Sequence, residues 1–145
     1  MSNTSYRDFL TNTLNLSPKD KVLIARGALK TIIEYSEKIG ASKEDINTLI
    51  ANFTKLFVSS DVTLVGDEYS FFKAVVGSEI SPKDFSEMTD YGSDPEFVEA
   101  SLEFIGQLPL EVREAVLTYG MMVMACDENI NYQESDLIKR ILALF

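Results

Sequence analysis

Residues 59–76, SSDVTLVGDEYSFFKAVV, and residues 125–142, ACDENINYQESDLIKRIL, share one pattern: an Asp after an apolar run, one aliphatic residue in a short polar segment, then a Glu. Setting Asp61 against Asp127 extends the match in both directions without a gap. Upstream, Ile46 meets Val112, Ile50 meets Val116, Phe53 meets Tyr119, Leu56 meets Met122 and Phe57 meets Val123. Downstream, Leu64 meets Ile130, Glu68 meets Glu134, Phe71 meets Leu137, Phe72 meets Ile138, Lys73 meets Lys139, Val75 meets Ile141 and Val76 meets Leu142. Apolar positions three and four residues apart mark one face of a helix, so each copy reads as a helix-turn-helix unit. The copies cover about 44–77 and 110–143. Two such units could pack about an approximate twofold, each covering the face the other leaves bare.

The punctuation around these units predicts an all-α chain of seven to eight helices. Ser17-Pro18-Lys19-Asp20 joins a capping hydroxyl to a proline whose missing N–H costs nothing in a first helical turn. Val22, Leu23, Leu29, Ile32, Ile33 and Ile39 then form the expected inner stripe, with Gly40 as the stop. Ser42-Lys43-Glu44-Asp45 approximates a capping box for the next helix. The spacing predicts further helices from Asp67 to Val76, from Ser81-Pro82, from Asp94-Pro95, from Pro109 to about Cys126, and from Tyr132 to about Leu144. A short one is expected near 4–14. No alternating stretch supports a strand. With no linker dividing it, the chain reads as one domain over 1–145; TDYGSDP at 89–95 is its most turn-rich stretch.

Composition narrows the function classes. The longest charge-free apolar segment, Ala115 to Cys126, has 12 residues, against roughly 20 for a bilayer span; it reads as a buried core helix. The polar start, MSNTSYRDFL, has no secretion-signal pattern, and the one cysteine cannot form an internal disulfide, so a cytoplasmic setting is expected. The net charge is −10, and it is uneven. Residues 1–78 hold 9 acidic and 9 basic side chains, residues 79–145 hold 14 and 4. Such a surface repels phosphate backbones and anionic lipid heads, which argues against nucleic-acid and membrane partners. Catalysis has few tools: no histidine, no phosphate-binding Gly loop and no nucleophile motif, so no enzymatic activity is expected.

Two copies of D-x-x-(aliphatic)-x-x-x-E, each after an apolar helix, resemble the tellurite-resistance TerB-like family over about 40–145, the second copy more closely. The resemblance implies a compact bundle in two related halves, a bacterial stress-response role and metal binding through acidic side chains. Family members commonly place Gly after the Asp; here Val62 and Glu128 stand there.

From the residues, the brackets admit two roles. As caps, the acids would satisfy unpaired N–H groups at the next helix start and sit in its positive dipole end. Asn131 with Glu134 suits this, whereas Val65 cannot cap. As ligands, Asp61, Glu68, Asp127 and Glu134 would converge on a hard cation, Ca²⁺, Mg²⁺ or Mn²⁺, since the donors are all oxygen. An alternative function is a metal-free adaptor docking a basic protein partner on Glu96, Glu99, Glu103, Glu111 and Glu114. Met121, Met122 and Met124 read as core. Cys126, next to Asp127, is an unfavourable nucleophile.

Overall fold

The computed structural model describes residues 12–58, 66–77, 80–88, 94–126 and 132–145. They form eight helices and, among the described residues, no strand. Residues 12–14 are helical and belong to α1; the rest of the stretch expected there lies outside the described residues. The others are α2 (Pro18–Lys38), α3 (Lys43–Val58), α4 (Gly66–Val76), α5 (Pro82–Met88), α6 (Pro95–Gly106), α7 (Leu110–Met124) and α8 (Tyr132–Leu142).

The helix ends follow from local chemistry. Ser17 Oγ accepts from the Asp20 N–H, Ser81 Oγ from the Asp84 N–H and an Asp94 carboxylate oxygen from the Glu96 N–H, at 3.0–3.1 Å. Ser42 and Asp45 cap reciprocally: Ser42 Oγ accepts from the Asp45 N–H at 3.1 Å while Asp45 Oδ2 accepts from the Ser42 N–H at 3.3 Å. At the end of α2, Gly40 has φ +87°. Its N–H bonds the Glu37 carbonyl and the Ala41 N–H bonds the Ser36 carbonyl, a Schellman closure that glycine makes without strain.

Helix α7 is the axis of the fold. It is buried almost all round, with Val116, Tyr119, Met121, Met122, Val123 and Met124 among its covered residues, and it packs against α2, α3, α4, α6 and α8. The Ala115–Cys126 run is thus a core helix, not a surface one. Where α3 approaches, the Phe57 ring lies over Gly120 so closely that a Cβ there would overlap it. Beside this contact, Tyr119 and Phe57 meet edge to face with centroids 6.4 Å apart.

The most extensive partner of α7 is α2, and here the expected inner stripe needs correction. Leu29 and Ile32 are buried and Val22 and Ile33 pack partly. Leu23 and Ile39, however, are 52% and 64% exposed. The buried face of α2 is instead Lys21, Ala25, Ala28, Leu29, Ile32 and Ser36. Small residues let α2 lie close to α7, and Ser36 returns its hydroxyl to the Ile32 carbonyl at 2.8 Å, so the face can carry polar residues without orphaned groups.

Longer side chains tie the helices together at their carbonyl ends. Arg26 of α2 donates through Nε and Nη2 to the Ala74 carbonyl in the last turn of α4, at 3.1 and 2.6 Å. Arg113 donates to the Leu108 carbonyl at 2.9 Å and to the Leu144 carbonyl. Both place a cation at the negative end of a helix.

Candidate functional site

The brackets stand on an equivalent frame. Helix α4 covers 66–76 and α8 covers 132–142, so both ends match under the Asp61-to-Asp127 register. Helices α3 and α7 end at Val58 and Met124, again equivalent positions. Burial repeats as well. Ile46 and Val112, Ile50 and Val116, Phe53 and Tyr119, Leu56 and Met122, Phe57 and Val123, Phe71 and Leu137, Phe72 and Ile138, and Val75 and Ile141 are all buried. Because α4 begins at Gly66, one residue before the expected Asp67, Glu68 and Glu134 are both the third residue of their helices. Asp61 and Asp127 lie outside the described residues, as do the side chains of Glu68 and Glu134. Among the described residues, no three His, Cys, Asp or Glu side chains come together in a way that could hold a metal ion. The donor set itself, four carboxylates and no nitrogen or sulfur, fits a hard divalent cation.

A residue that the apolar-stripe reading passed over sits at the second junction. Lys21 is 1% exposed, and its Nζ donates to the Ala125 carbonyl at 2.7 Å, just beyond the last residue of α7. A buried ammonium here complements the negative end of α7 and fills carbonyl capacity that the helix leaves open. The sequence held one signal: Lys19 and Lys21 occupy the start of α2, where the dipole favours acids.

Between the two copies lies a buried polar pair. Thr54 Oγ1 donates to the Ile50 carbonyl at 2.7 Å, so the Tyr119 hydroxyl, 2.6 Å away, donates to Thr54 Oγ1. Burial pushes the Tyr119 phenol well above its ordinary value, because the charged phenolate would be taken out of water.

The five glutamates of the adaptor reading do not share one surface. Glu99 and Glu103 border a groove of about 440 Å³ between α6 and α8, and Glu99 pairs with Arg140. Glu111 and Glu114 border another, about 280 Å³, between α2 and α7 beside Gly27 and Thr31. Glu96 is exposed in the first turn of α6. A wider groove of about 650 Å³ separates α2 from α3 and α4, with an apolar lining that includes Ile33, Phe72 and Val76 and with Arg26, Lys30, Glu34 and Glu37 along α2. Among the described residues, no helix is long and apolar enough to cross a membrane. The chain matches no family model, no curated protein and no solved structure.

Proposed function

We propose that this chain is a non-enzymatic TerB-like domain of a bacterial, cytoplasmic stress-response system of the tellurite-resistance type, and that its two turns bind a divalent cation through Asp61, Glu68, Asp127 and Glu134. The observation that supports this reading is the equivalence of the two junctions: identical spans for α4 and α8, matched ends for α3 and α7, and matched burial across the copies. With the flanking helix ends in register, each Glu is the third residue of its helix, where the N-terminal dipole favours the charged form. A bound Ca²⁺, Mg²⁺ or Mn²⁺ would neutralise these acids and cross-link the helix ends, stabilising only the folded chain.

The test is thermal unfolding of the wild type and of an Asp61→Asn, Asp127→Asn double variant, in EDTA and then with each cation. At 100 times its Kd, a cation stabilises by ~2.7 kcal/mol, or roughly 5–10 °C at this length. A shift in the wild type that the variant lacks is expected. No shift in either, with the variant melting lower in EDTA, assigns the brackets to capping alone.

A second reading, the metal-free adaptor, is favoured by a separate observation. Glu96, Glu103, Glu111 and Glu114 are exposed and, among the described residues, make no ion pair. A basic protein segment would dock on either glutamate-lined groove by charge complementarity. Its signature is salt-sensitive binding abolished by Glu111→Gln, Glu114→Gln or by Glu96→Gln, Glu103→Gln, with the cation response unchanged.

A further inference from the structure

Helix α2 carries an outward stripe at positions 23, 26, 30, 34 and 37, spaced by three and four residues and therefore on one face. It reads Leu, Arg, Lys, Glu, Glu. Leu23 is 52% exposed in spite of its size, and Arg26, Lys30, Glu34 and Glu37 are all exposed. The charges are ordered: both cations precede both anions. The midpoint of Arg26 and Glu37 falls at 31.5 and that of Lys30 and Glu34 at 32, so the two pairs share a centre within half a residue. At 1.5 Å per residue that offset is under 1 Å.

Such an arrangement is complementary to itself when reversed. A second α2 laid antiparallel about residue 32 sets Arg26 against Glu37 and Lys30 against Glu34, and the twofold repeats both, giving four ion pairs from one helix face. Within one chain this potential is poorly spent. Lys30 and Glu34 approach only to 4.0 Å, with 77% and 66% of their side chains exposed, a geometry that contributes little. Arg26 is held in place by its two hydrogen bonds to the Ala74 carbonyl, so its guanidinium is pre-oriented and loses little freedom on pairing. Alongside the stripe, the groove of about 650 Å³ offers apolar surface from Ile33, Val76, Ile80 and Met88, which would supply the desolvated part of an interface whose rim is charged.

We propose that this face of α2, with the adjoining groove, is an isologous interface through which two copies of the chain associate antiparallel, α2 against α2. The inference is independent of the turns and of any cation.

The experiment is sedimentation of the full chain at about 10–500 µM in low salt, where a twofold dimer doubles the 16.2 kDa mass. Two variants leave Arg26 untouched: Lys30→Glu, which makes the stripe mainly acidic, and the double Glu34→Lys, Glu37→Lys, which makes it basic. Each alone is expected to weaken self-association at least tenfold, and an equimolar mixture to restore a dimer containing one of each. Salt at about 1 M should weaken the wild-type dimer through screening. Leu23→Asn, at an exposed position, serves as a variant that keeps the charges and the fold and still loosens the dimer. A wild type that stays monomeric throughout, variants that dimerise as well as the wild type, or a mixture that fails to pair would each overturn the proposal. Far-UV circular dichroism of each variant shows whether its helices are intact, and if a charge variant unfolds, the Leu23→Asn result decides.

Discussion

The same substitution, glycine to alanine, should act with opposite sign at two helix-interior positions. In α7, a Cβ on Gly120 would overlap the Phe57 ring; in α2, a Cβ on Gly27 would have nothing within 4 Å. Alanine improves helix propensity by up to ~1 kcal/mol over glycine at either place. At Gly27 that gain stands alone, so Gly27→Ala should stabilise by up to ~1 kcal/mol. At Gly120 the methyl must be accommodated by a ring that is 1% exposed and braced edge-on by Tyr119. A ring in that setting cannot swing aside, so α3 and α7 must separate. Overpacking of this kind costs ~1–3 kcal/mol, and the upper end applies where the obstacle is rigid. The net expectation is a loss of ~2 kcal/mol, or roughly 5–10 °C in Tm. Urea unfolding of both single variants, with Phe57→Leu added to complete a cycle, measures it. Gly120→Ala should cost less in the Phe57→Leu background, with a coupling of ~1 kcal/mol or more. A Gly120→Ala variant as stable as Gly27→Ala, or a cycle without coupling, would refute the claim that α3 and α7 meet ring-on-backbone at this point.

Two further predictions concern the Thr54–Tyr119 pair. Thr54→Val keeps the shape but leaves the buried Tyr119 hydroxyl without its acceptor, costing ~1–3 kcal/mol, whereas Tyr119→Phe removes a single bond and should cost ~0.5–1.5 kcal/mol. The double variant should lose less than the sum, because nothing is then orphaned; chemical denaturation of the three variants reads this directly. For pH, the folded-state value of Tyr119 lies above its unfolded value of about 10. The unfolded chain therefore ionises first. The stabilisation is fully present below about pH 10 and falls as pH rises through the folded-state value, by up to ~1.4 kcal/mol per unit. Stability measured at pH 9–11 should decline less steeply in Tyr119→Phe than in the wild type, and equal slopes would contradict the burial argument.

Helix boundaries were legible in the sequence because they are settled by groups a few residues apart. Ser17, Ser42, Ser81 and Asp94 each bond an N–H two or three residues on, and Gly40 closes α2 with carbonyls of its own last turn. The repeat register was legible for a related reason: equivalent apolar positions specify equivalent buried faces, and the matched burial of the two copies follows. At the candidate cation site, the sequence placed Glu68 and Glu134 at corresponding helix starts, and the backbone of α4 and α8 agrees.

Which face of α2 turns inward was decided only by tertiary structure. Leu29 and Ile32 are buried as the hydropathy pattern expects, but Leu23 and Ile39 are exposed, and Lys21, Ala25, Ala28 and Ser36 are covered in their stead. The reason is that burial depends on what the neighbour supplies. Helix α7 offers a close approach that suits small side chains and an open carbonyl at Ala125 that an ammonium can satisfy, and neither property is written in the residues of α2. The same holds for the acidic half, where the pairing of Glu99 with Arg140 arises from how α6 meets α8 and the separation of Glu111 and Glu114 into another groove from how α7 lies on α2. Short-range hydrogen bonding lets the sequence alone fix where each helix starts and stops; side-chain packing between helices far apart in the chain fixes which residues become a surface.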